Sequence, residues 1–187
     1  MTAGILVLAA GRSVRFGADK RLAILPDGQC VIEATLANVR ASDLPFLLCL
    51  GEGDEELVNR LEARDIPCQR CRRAGEGIGA TLAEGVGHIP GWSGVLVALA
   101  DMPWVGSTTY RAVANRLSAS NIVVPVHDGR RGHPVGFGRA FYPELAALGG
   151  DAGARALLDV HAARVTAVKV ADAAIHRDID VPADLSL

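Results

Sequence analysis

Ile5-Leu6-Val7-Leu8-Ala9-Ala10-Gly11-Arg12-Ser13-Val14-Arg15-Phe16-Gly17-Ala18-Asp19-Lys20 is the stretch on which the rest of the chain is organised. The unbroken apolar run from Ile5 to Ala10 has the length and branching of a strand buried on both faces. It ends at Gly11, where a glycine-rich basic loop begins. Gly11 and Gly17 tolerate φ > 0 and let main-chain N–H groups come close to a ligand. Arg12, Arg15 and Lys20 add positive charge and Ser13 a hydroxyl, a combination suited to a polyanion such as a triphosphate. The P-loop spacing is excluded, because one residue too many separates the glycines and Ala18 follows Gly17; the Rossmann G-x-G-x-x-G is also missing. On residue chemistry alone, a surface loop with solvated Arg and Lys is the other reading.

The remaining composition fits a single domain over residues 1–187. Half of the residues are hydrophobic but only 4% are aromatic, so Ala, Val and Leu must build the core. A formal charge of −2 without a long basic run argues against nucleic acid as a partner. The chain has no apolar stretch of membrane-spanning length, and Met1 to Ala10 lacks the basic start of a signal peptide, so a cytoplasmic protein is expected. Cys30, Cys49, Cys68 and Cys71 fit reduced thiols there. Cys68-Gln69-Arg70-Cys71 has no second pair to complete a zinc site and reads as a thiol pair at a strand end.

Downstream, strands alternate with helices. Cys30–Arg40 is predicted helical, Pro45–Leu50 a strand, and the acidic cluster Glu52-Gly53-Asp54-Glu55-Glu56 the entry of a helix reaching Ala63. Ile66–Cys71 is a weaker strand. Ala74–Leu82 is a second glycine-rich turn opening a helix, whose N–H groups at Gly77 and Gly79, with the Thr81 hydroxyl, suit a nucleotide's base or sugar; a glycine-softened helix start is the alternative. Gly94–Ala100 is a strand that delivers Asp101 at its carboxyl end, where ligands bind in open α/β sheets and where a carboxylate can hold magnesium. A helix cap is the competing role for Asp101, but Ser107 or Thr108 is better placed to cap the helix that runs to Leu117. Asn121–Val126 is a strand, followed by a polar turn and the extended run from His133 through Pro134 to Phe137. Helices are expected over Tyr142–Leu148 and Ala152–His161, then a strand over Val165–Val170. This alternation predicts a three-layer α/β/α sandwich with a mostly parallel sheet.

L-A-A-G-x-S-x-R-x-G-x-x-K resembles the signature of the MobA-like nucleotidyltransferases. The resemblance implies a Rossmann-like fold of the nucleotide-diphospho-sugar transferase type. It implies that Leu8, Ala9, Ala10, Gly11, Ser13, Arg15, Gly17 and Lys20 hold a nucleoside triphosphate, with Lys20 on its phosphates. L-A-D-M-P-W-V is similar to the family's magnesium-binding strand end at Asp101. Asp178-Ile179-Asp180-Val181-Pro182-Ala183-Asp184-Leu185 resembles D-x-D-T-P-x-D-L, with Val181 in place of threonine. That match puts Asp180 on the metal as second carboxylate, Asp178 behind it, and Asp184 as a helix cap. Gly132-His133-Pro134-Val135-x-Phe137 and Gly150-Asp151-x-Gly153-Ala154-Arg155 look like the motifs of the molybdenum cofactor cytidylyltransferase branch. They imply CTP as donor, molybdenum cofactor as acceptor on His133, Pro134 and Arg155, Mg2+ as cofactor, and a molybdenum hydroxylase-type enzyme as downstream partner. Arg155 also fits a surface pair with Asp151. The alternatives are a guanylyl- or uridylyltransferase for another phosphate, and a non-catalytic carrier of the cofactor.

Overall fold

The computed structural model describes residues 2–11 and 16–186. The opening apolar run forms β1 (Ala3–Leu8), every residue of it buried. Two faces of burial follow from the pleat, since alternate side chains of a strand point to opposite sides. Ile5 and Val7 pack into one apolar cluster with α1 (Val31–Arg40), α2 (Glu55–Glu62) and α4 (Ser107–Arg116). Leu6 and Leu8 pack into the other with α3 (Ile78–Gly87), α5 (Tyr142–Ala146) and α6 (Arg155–Val160). The layers are therefore helices, sheet, helices.

The sheet has eight strands. β2 (Phe46–Gly51) and β4 (Gly94–Leu99) flank β1, both parallel to it, and β3 (Cys68–Cys71) adds parallel to β2. On the far side β7 (Val135–Gly138) is inserted antiparallel between β4 and β5 (Ile122–His127). β5 also carries the two-residue β6 (Arg130–Arg131) as a hairpin and β8 (Val165–Lys169) as a parallel neighbour. Asp128 and Gly129 make the hairpin turn with φ of 47° and 76°, the pair of positive values that a tight two-residue turn requires. Among the described residues, no helix is long and apolar enough to cross a membrane.

Several local expectations need correction. α4 is not capped by Ser107 or Thr108; Asp172, on a distant segment, accepts from the Gly106 N–H (3.0 Å) and the Thr109 hydroxyl (2.6 Å). The last two predicted helices are short, and α6 begins at Arg155 rather than at Ala152. No ion pair joins Asp151 to Arg155 among the described residues. Cys68 and Cys71 do not form one thiol site. Three apart on β3, they face opposite sides of the sheet, Cys71 joining the cluster that holds Cys49 and Cys68 packing against the other. All four cysteines are free thiols. Burial pushes Cys68 up to about 11, and a hydrogen bond with Cys71 together with burial holds Cys49 well above the ordinary thiol range.

Candidate active site

Parallel strands leave their carboxyl ends at one edge of the sheet, and there β1 and β4 end side by side. The Ala100 N–H donates to Leu8 O (3.0 Å) and the Ala9 N–H to Cys49 O (2.9 Å), so the backbone is fixed past the last strand residues. Thr35, fully buried on α1, donates from Oγ1 to Ala100 O (2.8 Å). Asp101 thus projects from a rigid frame into a cavity of about 470 Å3. Leu8, Ala9, Ala10, Gly11, Lys20, Gly77, Thr81, Asp101 and Asp180 all line this cavity, as their pattern in the sequence suggests.

Lys20 enters on a short 3-10 turn, Lys20–Leu22, begun by Asp19. Its ammonium donates to Asp101 Oδ2 (2.6 Å) and to Ile179 O (2.7 Å) and lies 3.5 Å from Asp180 Oδ1. The C-terminal segment reaches the cavity because Ile179 is fully buried and its N–H donates to Asp101 O (3.0 Å). In extended chain, burying Ile179 turns both neighbours the same way. Asp178 and Asp180 accordingly meet Asp101, with one carboxylate oxygen of each within 4.8 Å of the others. Asp184 holds the segment from below: its Oδ2 accepts from the N–H groups of Asp180 (2.8 Å) and Val181 (2.9 Å), the reach-back of a capping box. Those bonds keep its carboxyl below the ordinary range.

The trio fits a divalent cation. Asp101 Oδ1 is buried and has no hydrogen-bond partner among the described residues. An acceptor stripped of water and left bare is costly unless a ligand completes it. Oxygen donors on carboxylates are the set that Mg2+ or Mn2+ prefers.

Other predicted residues fall elsewhere. Ser13 and Arg15 lie outside the described residues. Gly17 (φ 77°) does not line the cavity. Gly79 also lies off its wall: its N–H is already given to Gly150 O (2.9 Å), and a Cβ there would stand 2.4 Å from Ala152 O. Gly79 therefore allows the Gly149–Ala152 turn to lie against α3, and no N–H remains there for a ligand. Gly77 is different. Its φ of 129° is a glycine conformation, and a Cβ would stand 2.3 Å from Asp151 Oδ1 on the cavity wall. The Thr81 hydroxyl is turned to Gly77 O (3.1 Å).

A residue absent from the sequence reading is Arg21. Its guanidinium is 10% exposed and donates to Ala9 O, to both oxygens of Asp54 and to both of Asp19. Asp54 also accepts from the Gly51 N–H (2.7 Å), so this member of the acidic cluster serves Arg21 and the strand end, while Glu55 and Glu56 occupy the first turn of α2. Burial opposes ionisation of Asp19, but the bonds from Arg21 outweigh it and its pKa is lowered. Arg21 walls both the main cavity and an adjoining one of about 490 Å3.

A further cavity of about 580 Å3 adjoins the first, sharing Leu8, Ile78 and Leu99 with it. His133 and Arg155 line it, together with Arg130 and Arg131; its floor is apolar. Pro134, joined to His133 by a cis peptide, is buried and not on its wall. The His133 N–H donates to Ile175 O (3.0 Å), and its Nδ1 is buried with no partner among the described residues. Burial holds the imidazole below its ordinary pKa, against a bond to the Val97 backbone and the charges of Asp101 and Asp178.

Solved structures share this architecture over nearly the whole chain. Rv0371c from Mycobacterium tuberculosis H37Rv is 28% identical, with a TM-score of 0.86 over 98% of this chain and 95% of that one. A complex of Rv0371c with manganese gives 26% identity and 0.82 over 98% and 96%. A nucleotidyl transferase from Methanothermobacter has the same fold at 23% identity, with 0.83 over 98% and 94%. No curated protein matches the sequence. The model of the MobA-like NTP transferase domain matches residues 5–166, a span that includes most of β1, the stretch after it and Asp101. The chain belongs to the MobA-like NTP transferase family.

Proposed function

We propose that this protein transfers CMP from CTP to the terminal phosphate of molybdenum cofactor, with release of pyrophosphate. The observation that supports the reading most is the junction of two cavities, one lined by Lys20 and the carboxylates, the other by His133 and three arginines. The acceptor phosphate oxygen attacks the α-phosphorus, the bond from that phosphorus to the β-phosphate oxygen breaks, and pyrophosphate leaves in line. A phosphate monoester with a second pKa of about 6 is mostly dianionic at neutral pH, so no general base is required. Position and charge neutralisation suffice.

Lys20 and the Gly11 N–H hold the phosphates in this reading, and the family resemblance gives Ser13 and Arg15 the same task. A divalent cation, magnesium in this reading, supplies Lewis-acid neutralisation of the phosphoryl oxygens when held by Asp101, Asp180 and Asp178. The manganese in the Rv0371c complex supports a divalent cation for the fold. Arg130, Arg131 and Arg155 suit an anionic acceptor, and the apolar floor between them suits a flat ring system. CTP is favoured by Leu8-Ala9-Ala10-Gly11 and by the motifs at Gly132–Phe137 and Gly150–Arg155, which resemble the cytidylyl branch.

Pyrophosphate release with magnesium and molybdenum cofactor, measured separately with CTP, GTP and UTP, tests this. Turnover with CTP is expected. Turnover with GTP or UTP alone would retain the transfer and overturn the base. Cofactor binding without release from any nucleotide would make the chain a carrier.

A further inference from the structure

We propose that Lys20 is a resident counter-ion of the acidic cluster and competes with a divalent cation for it, so that the cation enters efficiently only with a nucleoside triphosphate. The inference rests on the triphosphate reading above but not on which base is bound. Lys20 Nζ stands 2.6 Å from Asp101 Oδ2 and 3.5 Å from Asp180 Oδ1, two of the three carboxylates that would hold the cation, and it donates to Ile179 O between them. An ammonium has three donors and no lone pair, so it cannot share a ligand set with a metal except by facing it as a like charge. Side-chain exposures of 14% for Lys20 and 19% for Asp101 leave little solvent to screen that repulsion.

Lys20 has somewhere else to go. Its backbone is anchored beside the cavity by the turn at Asp19, while its four-carbon stem is flexible. Gly11, Lys20 and Asp101 line the same cavity, so the ammonium reaches a phosphate there without leaving it. A triphosphate gives Lys20 replacement acceptors, which frees Asp101 Oδ2 beside the already bare Oδ1. By linkage, whatever factor the nucleotide adds to cation affinity the cation adds to nucleotide affinity.

Binding of Mn2+ to the whole protein, read from the EPR signal of the free ion without nucleotide, tests the proposal. Lys20→Met is expected to bind Mn2+ roughly tenfold more tightly than the wild type, as removal of a like charge a few ångströms away allows. Lys20→Arg keeps the charge and is expected to stay close to wild type. The factor by which a nucleoside triphosphate (CTP, GTP and UTP in turn) tightens Mn2+ binding is expected to shrink in Lys20→Met. Unchanged or weaker Mn2+ binding in Lys20→Met overturns the proposal, as does a gain in Lys20→Arg equal to that in Lys20→Met. Lys20→Gln makes the same comparison if the methionine variant does not fold. Absence of Mn2+ binding in all of these proteins would instead remove the metal site itself, and the competition with it.

Discussion

Asp101→Asn is expected to lower nucleotidyl transfer by about 10^2- to 10^3-fold while leaving a folded protein. Asn keeps the shape of Asp and an acceptor at the same place, so the frame formed by β4, Ala100 and Thr35 has no reason to move. What is lost is the charge that faces Lys20 and a buried carboxylate oxygen that no hydrogen bond satisfies among the described residues. Asp178 is exposed and Asp180 half-buried, so neither replaces Asp101 as the fixed corner of the site. Steady-state pyrophosphate release, with thermal melts alongside, checks this. A normal rate in a folded Asp101→Asn protein would remove Asp101 from the chemistry.

Arg21→Met is expected to destabilise the protein by about 3 kcal/mol, as breaking a buried ion pair from one side does. The guanidinium joins three separate pieces of chain: the end of β1 at Ala9, the loop at Asp19 and the start of α2 at Asp54. Methionine fills the volume but leaves two partly buried carboxylates and a buried carbonyl without their donor. The loss depends on pH with a definite sign. The folded protein holds Asp19 below its ordinary value of 3.8, so this part of the stability is present above that value and is lost as pH falls through the depressed one. Urea midpoints of wild type and variant are therefore expected to differ most near neutral pH and to converge in acid. A gap that stays constant from neutral pH to below 3.8 would show that Asp19 takes no part.

The first strand was legible because the signal is local: consecutive apolar residues admit few placements, and the structure buries all of Ala3–Leu8; its end was not, since the strand stops at Leu8 and not at Gly11. Asp101 was legible for the same reason, as the polar residue ending the clearest strand. Asp178 and Asp180 show how far pattern carries. Motif resemblance ranked Asp180 ahead of Asp178, but alternation about a buried Ile179 turns both toward Asp101. Arg21 carried no such signal. Beside Lys20 in the sequence it resembles any solvated cation, and its partner Asp54 is 33 residues away. The insertion of β7 between β4 and β5 was equally hidden, since strand neighbours are settled by long-range pairing and not by the composition of Val135–Gly138. Gly79 had the right type in the right motif. It is occupied by the Gly149–Ala152 turn, a contact that no spacing within the helix reveals.

Thermal unfolding with CTP, GTP, UTP and ATP in turn, each with and without magnesium, tests most directly that the cavity between β1 and β4 binds a nucleoside triphosphate. A ligand at a hundredfold excess over its dissociation constant stabilises the fold by about 2.7 kcal/mol, a shift a melt resolves easily. A magnesium-dependent rise in Tm, largest with CTP, is the predicted result. No rise with any of the four, with or without magnesium, would contradict it.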